Sequence, residues 1–270
     1  MKKCLLLFVV FSMCQTASAQ KGDTGIFINP ATIDFSLNQG QTGAQRITII
    51  NKMPVKKQFK LYVSDWVRDT IGEHEYKPAG SIKQSCARWV VLEKDFVELL
   101  PNQYITVNVR LQIPDSADAV KMMRWAMVFV ETIEEAKAPD VTKKITTIVT
   151  TLYRVGVHIY QTPPSVLTRE LVMESFEPLK NNRDSIYRIT CQNTGQVQLR
   201  CKSYIELTNL TDGKKTVINA EEFPMFPEQK RYVDFVIPSS LPKGKYNVIA
   251  AVDAGYDLPL EAAQKVIEIK

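Results

Sequence analysis

The sequence is poor in the side chains that most enzymes use for chemistry. Its two histidines, His74 and His158, stand in unlike contexts, and they are not a pair at metal-ligand spacing. No Cys-x-x-Cys, no Gly-x-Ser-x-Gly elbow and no glycine-rich phosphate loop occurs. An acidic cluster at Glu131, Glu134 and Glu135 lies near lysines and is typical of a solvated loop. We therefore expect no catalytic residue, no metal and no cofactor, and a protein that is not an enzyme.

The sequence also lacks a strong charge bias. Its formal net charge is +5 at pH 7. The charge falls to +3 when Lys2 and Lys3 of the N-terminal leader are left out. A charge this small and this dispersed is not the electrostatic footprint of a nucleic-acid-binding protein. We expect no nucleic-acid partner.

Long hydrophobic runs are missing after the first residues. The chain begins MKK, continues with CLLLFVVFSMC and reaches an Ala-Ser-Ala site before residue 20. This order predicts a bacterial signal peptide over residues 1–19, cleaved after Ala19. Acylation at Cys14 is the alternative. The apolar run is too short to span a bilayer comfortably, so we expect no transmembrane segment in the mature chain. The predicted location is the periplasm, with the outer membrane or cell surface as the alternative.

Cysteine is scarce in the mature chain. Only Cys86, Cys191 and Cys201 remain after the signal peptide. An oxidising compartment permits a disulfide, and Cys191 and Cys201 are the one plausible pair. Two free buried thiols are the other alternative, because free cysteine is among the most buried residue types.

Helical periodicity is absent, and nearly every segment after Ile26 is typical of a β-strand. Apolar side chains alternate with polar ones, as at Phe59, Leu61 and Val63. Turn-forming residues separate about seven short strands in each half of the chain. The pattern predicts an all-β fold of two tandem immunoglobulin-like β-sandwiches. We place the first domain at residues 20–162 and the second at residues 163–270.

One stretch, residues 145–160, is unusually long for a strand. It reads ITTIVTTLYRVGVHIY and is rich in β-branched and aromatic residues. The Gln-Thr-Pro-Pro sequence that follows cannot continue a central strand ladder. We therefore predict that this stretch is the last strand of the first domain, with the inter-domain linker directly behind it.

The order of elements in the first domain resembles that of the PapD-like periplasmic chaperones of pilus assembly. The segments that carry the resemblance are PATIDFSLNQGQTGAQRITIINKMPVKKQFKL, SCARWVVLEKDFVELLPNQYITVNVRLQIP, MRWAMVFVET and YRVGVHIYQTPP. In the second half, LPKGKYNVIAAVDAG resembles the closing strands of such modules. The similarity covers nearly all of the mature chain as a distributed pattern.

The resemblance implies a mechanism and a binding strand. In this family the last strand of the first domain lies at a sheet edge and lends alternating apolar residues to an incomplete subunit, a form of β-augmentation. The residues implied to bind a partner here are Ile148, Leu152, Tyr153, Arg154, Val155, Val157 and His158. The alternative is that the apolar members of this set fill the sandwich core.

The sequence departs from the family at the basic cleft residues that anchor a subunit's terminal carboxylate. The first-strand region Asn29-Pro30-Ala31-Thr32 contains no arginine or lysine. On the long strand only Arg154 and His158 are candidates, and Arg154 has the geometry for a bidentate carboxylate contact. A solvated charge on an exposed strand is the other interpretation of Arg154.

The sequence therefore predicts an exported, chaperone-like protein that binds or stabilises an envelope or pilus-type subunit by edge-strand pairing. The partner would be an exported protein subunit, pilin-like or another envelope protein. The alternative function is a structural or adhesive component of the cell envelope that uses the same fold as a spacer.

Overall fold

The structure is a computed structural model that describes residues 25–133, 152–179, 186–255 and 258–269. The predicted signal peptide lies outside these ranges, as do Glu134 and Glu135 of the acidic cluster and the predicted site residue Ile148. In the described part no helix is long and apolar enough to cross a bilayer.

The first half of the chain forms a sandwich of two sheets. One sheet has the strand order β1-β3-β8-β6, and the other has the order β2-β10-β9-β4-β5, with β7 paired to β4. The strands are β1 (Ile26–Asn29), β2 (Thr32–Phe35), β3 (Thr42–Asn51), β4 (Lys57–Arg68), β5 (His74–Lys77), β6 (Val90–Leu92), β7 (Phe96–Leu99), β8 (Tyr104–Gln112), β9 (Arg124–Ile133) and β10 (Arg154–Gln161). Two short 3₁₀ helices, Ala87–Trp89 and Ala117–Val120, lie between strands.

The second half forms another two-sheet sandwich. Its sheets have the orders β11-β12-β16 and β14-β13-β17-β18, with β15 paired to β13. The strands are β11 (Leu171–Pro178), β12 (Ile186–Asn193), β13 (Leu199–Asn209), β14 (Lys215–Asn219), β15 (Phe223–Met225), β16 (Lys230–Val236), β17 (Gly244–Asp253) and β18 (Glu261–Ile269). The predicted all-β fold of two tandem immunoglobulin-like sandwiches is confirmed.

Alternating burial explains why these segments form strands. Along β13 every second side chain, from Leu199 through Ile205 to Leu207, is buried, while those between them are more exposed. A period of two places one face of a strand toward a core and the other toward solvent. Each sandwich accordingly encloses its own apolar cluster. A third, smaller cluster joins residues of both halves and is described below.

Two segments of the first sandwich have local structure that the alternation of side chains does not reveal. The segment around Cys86 makes the 3₁₀ helix Ala87–Trp89 before it forms β6. The polar stretch after Trp66 is a regular hairpin in which β4 pairs with β5 from Asp65↔Lys77 to Arg68↔His74. This hairpin places polar residues on the side of the first domain that contacts the second.

The disulfide considered for Cys191 and Cys201 is absent, and both thiols are free and buried. The two residues lie on β12 and β13, which belong to different sheets. The Cys191 sulfur lies 3.7 Å from Met225 Sδ and 3.7 Å from the Arg231 carbonyl oxygen. Burial raises the pKa of each thiol to about 12, so both remain protonated and unreactive at neutral pH.

Buried asparagines close the ends of strands. Asn193, the last residue of β12, donates from Nδ2 to the carbonyl oxygens of Val197 (2.9 Å) and Met225 (3.0 Å). Its Oδ1 accepts a hydrogen bond from the Gly195 N–H at 2.9 Å. Asn51 makes the same kind of contacts at the end of β3. A buried polar side chain of this kind is stabilising only while all its partners are present.

We predict that Asn193→Ala lowers the free energy of unfolding by about 2–4 kcal/mol, because two buried carbonyl oxygens and one N–H lose their partner. Asn219→Ala is the control, since Asn219 ends β14 on the exposed surface. It should change the free energy by no more than about 0.5 kcal/mol. Urea unfolding of the mature chain measures both values, and equal losses in the two variants would contradict the role given to Asn193.

Candidate functional site

Strand β10, which carries most of the predicted binding residues, is paired fully on one side and partly on the other. It pairs antiparallel with β9 over its whole length, from Arg154↔Glu131 to Gln161↔Arg124. On its other side it pairs in parallel with β2, but only from His158↔Thr32 to Gln161↔Phe35. Among the described residues, nothing pairs with that side of β10 over 154–157. This half of β10 is an open sheet edge, and we call residues 154–157 the open edge.

The backbone groups that face the open side can be assigned from the neighbouring hydrogen bonds. The Thr132 N–H donates to the Tyr153 carbonyl oxygen at 2.8 Å, so residue 153 faces β9. The His158 N–H donates to the Ala31 carbonyl oxygen at 2.9 Å, so residue 158 faces β2. Because backbone groups alternate along a strand, the N–H and C=O groups of Arg154 and Gly156 point out of the open edge.

The side chains of β10 divide into an inner and an outer face. Val157 and Ile159 are fully buried in the core of the first sandwich, and Val155 is half-buried above them. The burial of the Val157 side chain agrees with the alternative of core filling, and its contact with a partner stays a prediction. Arg154, His158 and Tyr160 lie on the opposite face.

Two of the predicted residues are exposed immediately before β10. Leu152 is 57% exposed and Tyr153 is 38% exposed. The Tyr153 backbone is held by Thr132, whose Oγ1 accepts a hydrogen bond from the Tyr153 N–H at 2.9 Å. Two exposed side chains, those of Leu152 and Tyr153, therefore stand immediately before the open edge, where another molecule could contact them.

Arg154 stands on the outer face of the open edge. Its guanidinium lies over the rings of Phe129 (4.9 Å) and Tyr76 (5.4 Å). These are cation–π contacts, which orient the guanidinium without neutralising it. Arg154 is therefore a charged side chain at the surface. This is compatible with both interpretations from the sequence, a carboxylate contact and a solvated charge.

His158, the second basic candidate, is enclosed by aromatic side chains. Its ring lies 4.9 Å from Trp66, 5.6 Å from His74 and 5.6 Å from Tyr160, measured between centroids. Its Nδ1 is buried and has no hydrogen-bond partner in the described part of the chain. Burial, with smaller contributions from His74 and Arg68, lowers the pKa of His158 to about 4. His158 is therefore neutral at pH 7 and does not supply a cation to the cleft.

An aromatic cluster joins the two sandwiches beside His158. Phe226, from the loop after β15 in the second sandwich, lies 4.9 Å from Trp66, 5.1 Å from Trp125 and 5.7 Å from Tyr160. Phe226 is only 3% exposed. We call this contact the domain junction. Phe226 was not among the residues that the sequence predicted to bind, although an apolar Pro-Met-Phe-Pro run marks its position.

Backbone and polar contacts surround the aromatic cluster. The Met123 N–H donates to the Gln196 carbonyl oxygen at 2.8 Å, and the Tyr232 N–H donates to the Thr70 carbonyl oxygen at 2.7 Å. Glu228 of the second sandwich accepts hydrogen bonds from Lys83 Nζ and from Gln84 Nε2. The two sandwiches therefore meet through directional bonds as well as apolar contact, which fixes their relative orientation.

A buried carboxylate positions the first-domain side of the junction. Asp65 is fully buried and accepts hydrogen bonds from the N–H groups of Ser81 (2.6 Å) and Ile82 (3.1 Å) and from the Ser85 hydroxyl (2.5 Å). These bonds hold the segment 81–85 against β4. Lys83 and Gln84 are thereby presented to the second sandwich.

A cavity of about 330 Å³ opens at the domain junction. Trp66, Trp125 and Phe226 form its apolar wall, and Arg68, Gln84 and Lys230 stand at its polar side. In the described residues no three histidine, cysteine, aspartate or glutamate side chains come together as metal ligands.

We predict that Phe226→Ala weakens the coupling between the sandwiches, because the residue fills a junction without belonging to either core cluster. Truncating a buried phenylalanine costs about 3–5 kcal/mol. Differential scanning calorimetry should resolve two unfolding transitions in this variant where the wild type has one. Val236→Ala, at an exposed position of β16, is the control and should unfold in a single transition like the wild type. A single transition in Phe226→Ala would refute the prediction.

We also predict that His158 makes stability depend on pH. The folded-state pKa is about 4 and the unfolded value is about 6.5. Between these values the unfolded chain binds more protons, so stability is complete above pH 6.5 and falls as the pH is lowered toward 4. After allowance for partial solvent exposure, the loss is roughly 1–2 kcal/mol. His74, whose pKa burial also lowers, acts in the same direction.

The measurement is the difference in unfolding free energy between pH 7 and pH 4.5 for wild type and for His158→Phe. The phenylalanine keeps the aromatic packing and cannot titrate, so its pH dependence should be shallower. His74→Phe is the matched control, and it measures the smaller contribution of His74 to the pH dependence of stability. Parallel pH profiles for wild type and His158→Phe would show that the His158 ring does not titrate as proposed.

Comparison with known proteins gives likeness in structure alone. No family model matches this sequence, and no curated protein matches it. A structure of a chaperone–tip adhesin complex of CFA/I fimbriae biogenesis is 13% identical, covers 90% of this chain and 98% of that chain, and has a TM-score of 0.49. The CsuC–CsuE pre-assembly complex of Acinetobacter baumannii Csu pili is 11% identical, covers 91% of this chain and 98% of that chain, and has a TM-score of 0.48. The E. coli chaperone DraB is 14% identical, covers 92% of this chain and 98% of that chain, and has a TM-score of 0.46.

Proposed function

We propose that this protein is an exported chaperone-like protein that binds an envelope or pilus-type subunit by pairing a partner strand with the open edge. The observation that carries the proposal is the half-paired state of β10. The strand has a full partner in β9, but β2 covers only its second half. The sequence resemblance to PapD-like chaperones supplies the class of partner.

The open edge offers both affinity and selectivity. The outward N–H and C=O groups of Arg154 and Gly156 are main-chain sites for an added strand, and such hydrogen bonds supply the affinity of β-augmentation. Alternate side chains supply selectivity. Leu152 and Tyr153, both exposed at the start of the edge, are the apolar side chains that a partner would contact, and Arg154 adds a positive charge.

The surrounding structure keeps the edge rigid. Val157 and Ile159 fix β10 in the sandwich core, and Gln161 ends the strand with two hydrogen bonds to the Leu37 backbone (3.2 Å and 2.7 Å). A pre-organised edge loses little conformational entropy when a partner binds. An unprotected edge is also a site of unwanted pairing, and a bound subunit would remove that liability.

The proposed location is the periplasm. This part of the proposal rests on the predicted signal peptide of residues 1–19 and on the resemblance to periplasmic chaperones. A structural or adhesive envelope component remains the competing function, and it would use the domain junction as a stiff spacer rather than the open edge as a binding site.

We predict that Arg154→Pro abolishes capture of the partner subunit while Arg154→Ala reduces it only modestly. Both variants lose the guanidinium, but only proline removes the outward N–H. Proline is tolerated at the first residue of a strand when its N–H side faces solvent, and Arg154 is the first residue of β10. The pairing with β9 should therefore survive, which circular dichroism and thermal melting will verify.

The assay is co-purification of one exported subunit with the tagged mature protein from the envelope of the producing bacterium. Amide hydrogen exchange of the purified complex should show new protection at residues 154 and 156 but none at 158, which is already bonded to Ala31. Tyr104→Asp, at a residue of β8 that is 70% exposed, is the surface control. Equal capture by Arg154→Pro and Arg154→Ala, or fractionation of an unliganded protein with the outer membrane, would favour the spacer function.

A further inference from the structure

Two arginines from different sandwiches converge at the turn between β4 and β5. Arg68, the last residue of β4, donates from Nη1 to the Gly72 carbonyl oxygen at 2.6 Å. The Arg231 guanidinium, from β16, packs directly on Gly72, where an added Cβ would lie only 1.6 Å from Arg231 Nη1. Gly72 also has a φ of +95°, a conformation that favours glycine. The turn therefore brings both guanidinium groups to one place.

Neither arginine forms an ion pair within 4 Å in the part of the chain that the structure describes, although the Asp69 and Glu73 carboxylates lie close enough to act on Arg231 electrostatically. None of the ion pairs there includes Arg68 or Arg231. The Nε atom of each is buried and lacks a hydrogen-bond acceptor. The nearby Asp69 carboxylate is occupied, since its Oδ1 accepts hydrogen bonds from the N–H groups of Ile71 (3.0 Å) and Glu73 (2.8 Å).

Such a pair is unfavourable without a counter-ion. Arginine does not deprotonate in proteins, like charges repel, and a buried donor without an acceptor costs free energy. Burial and then the charge of Arg68 lower the pKa of Arg231, and the Asp69 and Glu73 carboxylates raise it without reversing the direction. His74 and His158, which also lie near Arg68, have lowered pKa values. They add no charge at pH 7 and cannot neutralise the pair.

The two guanidinium groups are held in position by their surroundings. Arg68 lies 5.8 Å from the Trp66 ring centre, and Arg231 lies 5.4 Å from that of Phe223. The turn itself is bonded to β16 through the Tyr232 N–H and the Thr70 carbonyl oxygen at 2.7 Å. The backbone bond holds the turn and β16 together, and the ring contacts orient each guanidinium toward the turn.

We propose that Arg68 and Arg231 together bind a small oxyanion, a phosphate or carboxylate group, between the two sandwiches. The guanidinium fork matches the paired oxygens of these groups. The bound anion would satisfy the orphaned donors and replace repulsion between the domains with attraction. This site is separate from the open edge, and the inference does not depend on the proposed chaperone function.

The test is thermal unfolding of the mature protein at constant ionic strength, with chloride replaced stepwise by phosphate, sulfate or acetate. The wild-type Tm should rise by about 5–10 °C at an anion concentration about 100 times Kd, and above Kd it should keep rising with the logarithm of that concentration. Calorimetric titration should give one site per chain. A larger response to phosphate and sulfate than to acetate would identify a tetrahedral oxyanion, and the reverse order would identify a carboxylate.

Two variants distinguish the site from general salt effects. Arg231→Gln and Arg68→Gln should lose this rise. Because each substitution also removes packing and, for Arg68, the bond to the Gly72 carbonyl oxygen, the comparison is of the Tm change between chloride and the test anion within each variant. Arg200→Gln, at an exposed position of β13, removes the same charge elsewhere and should keep the wild-type response. The proposal would be overturned if the wild-type Tm changed equally in all anions. It would also be overturned if the anion-dependent rise in Tm persisted in Arg231→Gln.

Discussion

The contact between Phe226 and Trp66 is the one on which the arrangement of the two sandwiches depends. Trp66 donates from Nε1 to the Ala126 carbonyl oxygen at 3.2 Å, and Trp125 donates from Nε1 to the Trp66 carbonyl oxygen at 2.8 Å. The two indoles therefore tie β4 to β9 before Phe226 packs against them. Because β9 is also the full-length partner of β10, the same sheet carries the open edge on one border and the second sandwich on its outer face.

This shared sheet makes the orientation of the open edge a property of the whole molecule. His158 and Tyr160 extend from β10 toward Trp66 and Phe226, while Val157 and Ile159 extend from the same strand into the first core. A strand held on both faces cannot tilt without disturbing one of them. Any partner paired with residues 154–157 would therefore be held at a defined angle to the second sandwich.

The sequence predicted the architecture because burial in each sandwich follows a local period of two. It predicted the binding strand less well, for a physical reason. Alternation marks which side chains share a face, as Val155 and Val157 do, but a buried inner face and a partner-facing edge have the same pattern. What identifies the edge is that β2 stops pairing at His158, and this depends on a strand more than 100 residues away in the chain.

The junction was beyond sequence reasoning for the same reason. Phe226, Trp66 and Tyr160 come from three distant segments, and none has a local pattern that pairs it with the others. His158 shows the consequence most clearly. As a residue type it was a reasonable basic candidate, but its aromatic surroundings lower its pKa and leave it neutral. Its chemistry is set by neighbours that only the fold assembles.

Several buried polar atoms without a hydrogen-bond partner collect at one place, although others in the described part, such as Arg124 Nε and Ser203 Oγ, lie elsewhere. Asn51, Asn193 and Asp65 are each fully hydrogen-bonded in the interior. In contrast, Arg68 Nε, His74 Nε2, His158 Nδ1 and Arg231 Nε are buried without partners in the described part, and all four lie around one hairpin at the junction. Local inconsistency of this kind is expected where a structure is built for something it does not itself contain. Since two of the four groups carry permanent positive charge and the histidines gain charge as the pH falls, an anion is the ligand whose chemistry matches them.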